Sequence, residues 1–336
     1  MAGIFQLEDN DLDMLKTIND KYVKGGLIYG WKSSSKLSFD QGHWNKMIAK
    51  NSKKFPCELA QSPYLSNHKE ILHFWNIICS TIGHRSLMRV YINGYTYGTD
   101  GYAHYDDSSI NKIHGTNSLS ETAIIYLNKT WDINWAGETV LFDKSEKEIA
   151  ASIIPKFGRV LIFDSRTLHA ARPISRICNE LRSVLVFKTL DPRIVSEPVK
   201  FVQNNTLHMS HSKKTFFEHL FNTMCILENR KNNDDVLLAG LFHSIYGTEY
   251  YKHNLVFPRE KIKDLIGQYA EHLVYEFCNM KDRFRTLMTN ANNYNNNILY
   301  DLVEIAIANS IDQNVNDKSS ERISELENFK KTITRM

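Results

Sequence analysis

Two histidines and one aspartate in this sequence have the residue types of an iron site. His104 and Asp106 are separated by one residue, and His169 follows a later strand-like segment. Residues i and i+2 of a β-strand lie on the same face, so His104 and Asp106 can both point toward one metal ion. Two imidazoles and one carboxylate on one side of Fe(II) leave coordination positions open, which oxygen activation requires. The three residues therefore predict an Fe(II) centre that activates oxygen, although a His-x-Asp taken alone more often indicates a surface pair.

A cationic residue downstream of His169 favours the iron interpretation. Arg182 begins the segment RSVLVFK and shares one strand face with Lys188. A charge that faces the interior of a β-barrel is costly unless an opposite charge pairs with it, and a guanidinium can hold a carboxylate through two parallel hydrogen bonds. The pattern predicts a dicarboxylate co-substrate, 2-oxoglutarate. The ordinary alternative is a surface arginine at the start of a strand.

The elements that must position these residues begin after a change of pattern near residue 87. Residues 1–85 are expected to be mainly helical, with one helix in HKEILHFWNIICSTIG. From about residue 87 to 190, short β-branched or aromatic segments alternate with turn residues, which is typical of an antiparallel barrel or sandwich. These segments are RVYINGYTYG, ETAIIYLN, ETVLFD, GRVLIFD and RSVLVFK.

After about residue 205 the sequence predicts helices again. IKDLIGQYAEHLVYEF has the spacing of one amphipathic helix, and the Asn-rich stretch 290–297 predicts a loop. Further helices are predicted in VLLAGLFHSIYG, NILYDLVEIAIANSI and SSERISELENFKK. We place a domain boundary near 195–207, which gives a first domain at 1–200 and an all-α domain at 205–336.

Composition excludes several classes of protein. The 336 residues carry 41 basic and 38 acidic side chains, a net charge of +3, which argues against a nucleic-acid or membrane-surface protein. No apolar segment approaches the roughly 20 residues of a membrane span, and the acidic, mixed N-terminus is unlike a signal peptide. The five cysteines form no Cys-x-x-Cys pair, so we expect free thiols in a reducing compartment and a cytoplasmic location.

The segments around the candidate ligands resemble Fe(II)/2-oxoglutarate dioxygenases of the prolyl-4-hydroxylase type. The motifs HYD, YLNKTWD, PKFGRVLIF and LRSVLVFK agree with that family in order and spacing over about residues 87–190. YLNKTWD and PKFGRVLIF especially resemble the hypoxia-sensing prolyl hydroxylases. The resemblance implies an α+β fold in which a double-stranded β-helix, or jelly roll, carries supporting helices. It also implies that Fe(II), 2-oxoglutarate and O2 are used to oxidise an unactivated C–H bond, with release of succinate and CO2.

Carried over to this sequence, the resemblance implies that His104, Asp106 and His169 are the iron ligands. Arg182 matches the basic residue that pairs with the far carboxylate of 2-oxoglutarate, and Tyr126 matches a tyrosine that hydrogen-bonds the same carboxylate.

The resemblance implies further residues that bind the co-substrate, and two of these assignments have alternatives. Tyr95 lies near a second co-substrate tyrosine, but Tyr91 competes because the loop differs in length by one residue, and Thr122 would line the pocket. Arg182 follows His169 at a longer interval than is usual, so Arg172 and Lys188 are alternatives to it.

The expected substrate residues are aromatic or cationic. They are Tyr91, Tyr102, Trp135, Arg172 and Lys188. We expect hydroxylation or oxidative cyclisation of a small molecule derived from an amino acid. The alternative is hydroxylation of a protein or peptide side chain such as proline. No nucleic-acid or membrane partner is expected.

The C-terminal region is similar to a helical domain of unknown function related to the HD superfamily. Metal-binding HD domains carry a His-Asp pair, whereas this chain has His243 followed by Ser244. Loss of the aspartate argues against hydrolase activity, and we expect His219 and His243 to be structural. A metal-dependent phosphohydrolase is the alternative function from a different class.

Overall fold

Antiparallel strands form most of the first unit of the computed structural model, Met1–Val195. The structure describes residues 3–33, 42–61, 65, 67–106, 120–289, 294–313 and 317–334, with backbone only at 61 and 317–319. The strands of the first unit are β1 Gly3–Gln6, β2 Ile28–Trp31, β3 His43–Lys50, β4 Ser86–Tyr95, β5 Gly101–His104, β6 Glu121–Tyr126, β7 Thr139–Phe142, β8 Ile149–Ile153, β9 Arg159–Asp164, β10 His169–Ala171 and β11 Arg182–Leu190.

These strands belong to two sheets whose apolar faces share one core. The larger sheet has the order β1-β9-β6-β11-β4-β3-β2 and the smaller β5-β10-β7-β8, and all pairings are antiparallel. Strands of both sheets contribute to the core cluster, which contains Tyr91, Ile124, Tyr126, Leu141, Ile153, Leu161, Phe163, Val184 and Val186. This mixed α/β unit with a large antiparallel sheet is consistent with the predicted jelly roll.

Helix α2 (Lys69–Ile82) covers the opposite face of the larger sheet. Its apolar residues recur at helical spacing, and Trp75 stacks on Phe187 of β11 with ring centroids 6.1 Å apart. Because β11 is covered on both faces, every one of its residues is buried. That explains why RSVLVFK is almost continuously apolar. Helix α1 (Asp9–Ile18) is joined to α2 by His73, whose Nε2 lies 2.7 Å from Asp11 Oδ1.

The expectation that residues 1–85 are mainly helical did not include the three strands found there, β1, β2 and β3. Strand β1 pairs with β9, and β3 pairs with β4, so both extend the larger sheet. Their strand conformation comes from partners far away in the sequence, and local periodicity does not record such pairing.

The second unit, Ser196–Met336, is largely helical. Its helices are α3 Glu197–Thr206, α4 Phe216–Asn229, α5 Asp234–Phe242, α6 Arg259–Ile266, α7 Gln268–Asn279, α8 Arg283–Thr289, α9 Asn296–Asp312 and α10 Asp317–Thr332. Several begin at side-chain caps: Thr215 and Glu218 form a capping box before α4, and Asn233 and Asn295 cap α5 and α9.

Two details of the second unit differ from the sequence expectation. It contains a short hairpin, β12 (Ser210–His211) with β13 (Lys214–Thr215), so it is not purely helical. The segment expected to be one helix is broken at Gly267, whose φ of +86° lies in a region that L side chains rarely adopt. Residues 290–293 of the expected Asn-rich loop lie outside the described residues.

No helix in the described part of the chain combines the length and apolarity that a membrane span requires. The five cysteines are free thiols.

A buried ion-pair network ties α4 and α10 to the central helix α9. Glu304 accepts hydrogen bonds from Arg230 at 2.7 and 3.0 Å and from Lys330 at 2.6 Å. Asn232 donates a further bond of 3.1 Å. Burial alone would raise the pKa of the Glu304 carboxyl, but the bonds from Arg230 and Lys330 outweigh it and lower the pKa to about 2.

This network gives the second unit an acid-sensitive stability. Because the folded pKa of Glu304 lies below its ordinary value, its charge stabilises the fold above about pH 4.5, and the stabilisation is lost as pH falls toward 2. We expect Glu304→Gln to lower the free energy of unfolding by about 3 kcal/mol at pH 7 and by about half as much at pH 3. Urea unfolding followed by far-UV circular dichroism at both pH values measures this, with the exposed Glu325→Gln on α10 as the control.

A loss from Glu304→Gln that is equal at pH 7 and pH 3 would contradict this account.

Candidate metal centre and co-substrate pocket

The two candidate histidine ligands lie directly opposite each other on neighbouring strands. In the pairing of β5 with β10, His104 is the partner of His169, and their ring centroids are 4.4 Å apart. Strand β10 also pairs with β7, where His169 lies opposite Leu141. Asp106 follows β5, and its backbone N–H donates to Ser165 O at 3.0 Å. Two strand pairings and one turn contact therefore bring the three residues together.

The three side chains present one potential ligand atom each to a common point. His104 Nε2 lies 3.3 Å from Asp106 Oδ1, and His169 Nε2 lies 3.5 Å from Asp106 Oδ2. One ligand atom from each residue lies within 4.8 Å of the other two. Ligands that share a metal at about 2.1 Å are about 3 Å apart when adjacent, so the group fits one small divalent cation.

Hydrogen bonds fix the orientation of both imidazoles. His104 Nδ1 donates to the carbonyl of Tyr102 at 2.7 Å, and His169 Nδ1 donates to the carbonyl of Thr167 at 2.9 Å. With Nδ1 protonated, the neutral ring has its lone pair on Nε2, which faces Asp106. Such outer hydrogen bonds are typical of metal-binding histidines.

Buried polar groups hold the Asp106 carboxylate. Thr122 Oγ1 donates to Oδ2 at 2.6 Å and lies 3.0 Å from Ser165 Oγ, while the Lys188 ammonium contacts Oδ1. Burial alone would raise the pKa of Asp106, but Lys188 and His169 hold it well below its usual range. Asp106 is therefore ionised at neutral pH.

Burial also sets the protonation of His169. It lowers the pKa of this imidazole to about 4, against the opposing effect of Asp106, so the ring is neutral at pH 7. A neutral imidazole is the form that binds a metal ion.

The Arg182 side chain lies at the end of the same pocket that is opposite the metal-ligand group. Its side chain is only 1% exposed, Nε donates to Gly137 O at 2.6 Å, and an Nη donates to Thr139 Oγ1 at 2.8 Å. Gly137 has a φ of +78°, and a Cβ there would lie 3.2 Å from Arg182 Cδ, so glycine makes room for the arginine. Within the part of the chain that the structure describes, no carboxylate pairs with this guanidinium.

Two predicted co-substrate tyrosines lie around Arg182. Its guanidinium carbon is 5.4 Å from the Tyr95 ring centre and 5.5 Å from that of Tyr126. The Tyr126 hydroxyl donates to Thr139 Oγ1 at 2.7 Å, so Tyr126 and Arg182 share one hydrogen-bonding partner. A ligand carboxylate at Arg182 would meet this cluster.

One cavity connects the metal-ligand group to Arg182. Its lining residues, drawn from both sheets, are Tyr91, Asn93, Tyr95, His104, Asp106, Thr122, Ile124, Thr139, His169, Ala171, Arg182, Val184 and Val186. The cavity measures about 40 Å³, room for one or two water molecules and too little for a five-carbon dicarboxylate. Lining side chains must therefore move when such a molecule enters.

Three predicted substrate residues do not line this cavity. Arg172 is exposed just after β10, Trp135 packs edge-on against Trp131 with centroids 5.3 Å apart, and Tyr102 contributes its carbonyl to His104. Lys188, also proposed as an anion-binding residue, contacts Asp106 instead. Lys188 lies on the same face of β11 as Arg182, as strand parity predicts. Because it is six residues further along the strand, it contacts the metal-ligand group at the other end of the cavity.

Thr139, Asn93 and Ser165 contact the site but were not predicted from the sequence. Thr139 lies in the predicted strand ETVLFD, two residues from the core residue Leu141, and this parity could have placed it inside the barrel. Asn93 accepts a 2.7 Å bond from Asn45, a partner that only the pairing of β3 with β4 provides.

Two histidines of the second unit, His219 and His243, lie in a separate hydrogen-bonded cluster. His219 Nδ1 is 2.6 Å from Asp312 Oδ2, and the Nε2 atoms of His219 and His243 are 3.0 Å apart. His243 Nδ1 donates to Gly240 O at 2.6 Å, and its Nε2 lies 3.2 Å from Asn309 Oδ1. Since protein groups already occupy all four ring nitrogens, the arrangement favours a structural role.

Two parts of the chain match known protein families. Residues 91–187 match the 2OG-Fe(II) oxygenase superfamily, and residues 201–283 match a domain of unknown function, DUF6817. The relation of the C-terminal region to HD domains is not shown by this match. None of the curated proteins compared with the chain matches it.

Several solved structures are similar to part of the chain. One is a prolyl hydroxylase from Trichoplax adhaerens in complex with a hypoxia inducible factor peptide, 17% identical, covering 58% of this chain and 85% of its own, with a TM-score of 0.42. A Pseudomonas putida prolyl-4-hydroxylase is 14% identical, covering 56% and 91%, with a TM-score of 0.37. The carbocyclase SnoK from nogalamycin biosynthesis, described as non-heme and alpha ketoglutarate dependent, is 13% identical, covering 56% and 79%, with a TM-score of 0.37.

Proposed function

We propose that this chain, an oxidoreductase that carries a 2OG-Fe(II) oxygenase domain at residues 91–187, oxidises a C–H bond of a small molecule derived from an amino acid. Enzymes of this superfamily use Fe(II), 2-oxoglutarate and O2. The product is an alcohol or a new ring, and 2-oxoglutarate leaves as succinate and CO2.

The observation that carries the proposal is the placement of Arg182. A buried guanidinium with no carboxylate partner among the described residues lines the same cavity as two imidazoles and a carboxylate. An unpaired buried charge is costly, and a ligand carboxylate removes that cost. Lys188 is a weaker candidate for this role because Asp106 already neutralises it.

The donor set of the site fits Fe(II). His104, Asp106 and His169 would hold the ion, and bound iron with its co-substrates supplies the oxidising power that breaks the C–H bond. The carbonyls of Tyr102 and Thr167 keep both imidazoles oriented toward it.

The remaining residues bind, orient and exclude water. Thr122 holds one oxygen of Asp106 in place, so the carboxylate presents a fixed geometry. Arg182 would bind the far carboxylate of 2-oxoglutarate, with Thr139 and Tyr126 completing its surroundings. The buried apolar residues Val184 and Val186 line the cavity between the two ends and offer no hydrogen bond to water there.

A small substrate is favoured over a polypeptide by the burial of the site. The lining is mostly buried, and small-molecule sites are typically enclosed with a few placed polar groups. A peptide substrate would favour an open groove beside the ligands. Hydroxylation of a protein or peptide side chain such as proline is the second candidate.

The experiment that tests this proposal measures succinate together with a change of substrate mass. The full chain is incubated in air with Fe(II), 2-oxoglutarate and a library of amino-acid derivatives or of proline-containing peptides. We expect succinate formation that a small molecule stimulates, with a mass gain of one oxygen or a loss of two hydrogens in that molecule. The isosteric variant Asp106→Asn, which removes the charged ligand, should abolish both signals.

Each other outcome has a definite meaning. Stimulation by peptides alone would support the second candidate, and no succinate above the Asp106→Asn background would contradict the proposed chemistry. Phosphate-ester hydrolysis that requires His243 would support the phosphohydrolase alternative, which the hydrogen bonds of His219 and His243 disfavour.

A further inference from the structure

The second unit contains a large cavity that the proposed oxygenase function does not use. Its volume is about 790 Å³, within the range of small-molecule sites. The hairpin β12–β13, the segment after α5, and helices α8, α9 and α10 contribute its described lining.

The lining carries an excess of positive charge. Four cationic side chains and two carboxylates face the cavity among its described residues. One of these carboxylates, Asp312, is already bound to Lys214 at 2.7 Å and to His219 at 2.6 Å. Lys213, Arg283 and Arg322 remain, with Asp282 as the other acidic group.

Arg283 is the one of these three cations that has a buried nitrogen without a hydrogen-bond partner among the described residues. Its Nε is buried and has no hydrogen-bond acceptor, and the acceptor recorded for its guanidinium among the described residues is a backbone carbonyl and not a carboxylate. The guanidinium carbon lies 3.7 Å from the Phe277 ring centre, and an Nη makes a long 3.4 Å bond to Phe277 O. Burial lowers the pKa of Arg283 to about 10, so the group is still charged at pH 7.

The contact with Phe277 does not replace the hydrogen bond that the buried Nε of Arg283 lacks. The stacking instead holds the guanidinium plane in one orientation beside the cavity. A fixed, charged and incompletely bonded guanidinium next to a large space is the arrangement of an oxyanion receptor.

We propose that this cavity binds a small organic molecule through a carboxylate or phosphate group held by Arg283. Lys213 and Arg322 also line this cavity, and their positive charges attract the anion. Tyr251 and Phe284 offer aromatic surface to the rest of the ligand. The family match over residues 201–283 assigns no ligand to this unit.

The test is calorimetric titration of the full-length protein with two probes, inorganic phosphate and malonate, at constant ionic strength. Arg283→Gln removes the charge and keeps a hydrogen-bond donor, whereas Arg283→Lys keeps the charge. Arg285→Gln is the matched control, because Arg285 is exposed on the same helix and does not line the cavity. The titrations are repeated in an Arg182→Gln background, so that binding at the first unit is not counted.

We expect at least one probe to bind to the Arg182→Gln protein and to the protein that carries both Arg182→Gln and Arg285→Gln. Its dissociation constant should rise at least about tenfold in Arg283→Gln and less in Arg283→Lys, because a charge-assisted hydrogen bond is lost in the first and partly kept in the second. Hydrogen exchange should show protection of α8 by the bound probe.

Two results would overturn the proposal. One is that neither probe binds once Arg182 is replaced. The other is that Arg283→Gln binds as tightly as its parent while melting at a lower temperature, which would mean that Arg283 serves only to stack on Phe277.

Discussion

Replacing His169 by alanine is expected to abolish iron-dependent succinate formation. His169 supplies one of the three ligand atoms that lie within 4.8 Å of one another, and its ring is neutral at pH 7 and oriented by Thr167. Removing groups that only orient metal ligands costs about 10- to 100-fold, so loss of a ligand should reduce turnover by more than about 100-fold. Succinate release and the iron content of the purified protein measure the effect.

The matched control is His84→Ala, because His84 is exposed and it is its backbone carbonyl that accepts a hydrogen bond from Arg85. This variant should retain full activity and iron content. The His169→Ala protein should show cooperative thermal unfolding, which separates loss of the metal from loss of the fold. An active His169→Ala protein with one iron per chain would remove this residue from the site.

Replacing Arg182 by glutamine is expected to weaken 2-oxoglutarate binding strongly. A glutamine can still bond to Gly137 or Thr139, but it cannot supply a charged, two-pronged donor to a carboxylate. Each hydrogen bond to a charged group contributes about 1.5–3 kcal/mol, so the half-saturating 2-oxoglutarate concentration should rise by about 10- to 100-fold. The measurement is succinate formation as a function of 2-oxoglutarate concentration.

Arg172→Gln distinguishes between the two arginines. Arg172 is exposed and does not line the cavity, so its replacement should leave the 2-oxoglutarate dependence unchanged. Arg182→Lys keeps a positive charge and should recover part of the loss, which excludes misfolding as the cause. A rise in Arg172→Gln or in Lys188→Gln without one in Arg182→Gln would move the role to that residue.

Local spacing explains why the sequence was informative about the metal site, although β5 ends at His104 and Asp106 follows it. His104 and Asp106 are two residues apart, and the strand that carries Arg182 is recognisable by its β-branched and aromatic residues. These relations involve residues close together in the chain, so they can be recognised in the sequence without knowledge of the strand order. His169 was a candidate because it follows the strand-like segment GRVLIFD, and the resemblance to a known family also implies it, although its own strand β10 has three residues and no periodicity.

The surroundings of the site could not be predicted in the same way. Thr139 meets Arg182 only because β7 and β11 belong to different sheets that share one core. The contact of Lys188 with Asp106 depends on the pairing of β11 with β6, which places Lys188 opposite Thr122. Such contacts depend on sheet order and register, which a single sequence does not state.

The first 85 residues show the same limit at the level of the fold. Strand β1 forms by pairing at the edge of the larger sheet, and its burial pattern has no clear alternation. By contrast, α2 was predictable because its buried residues recur at helical spacing on one stripe. The secondary structure was therefore predictable where an element buries a periodic face, and it was not predictable where pairing with a distant segment decides the conformation.

The most direct measurement is an anaerobic titration of the full chain with Fe(II) in the presence of 2-oxoglutarate, followed by the weak visible absorption of the iron–2-oxoglutarate complex. We predict a band that requires both components, saturates at one iron per chain, persists in His84→Ala and is absent in His169→Ala. A protein that gives no band, or a band of equal intensity in His169→Ala, would contradict an iron site formed by His104, Asp106 and His169.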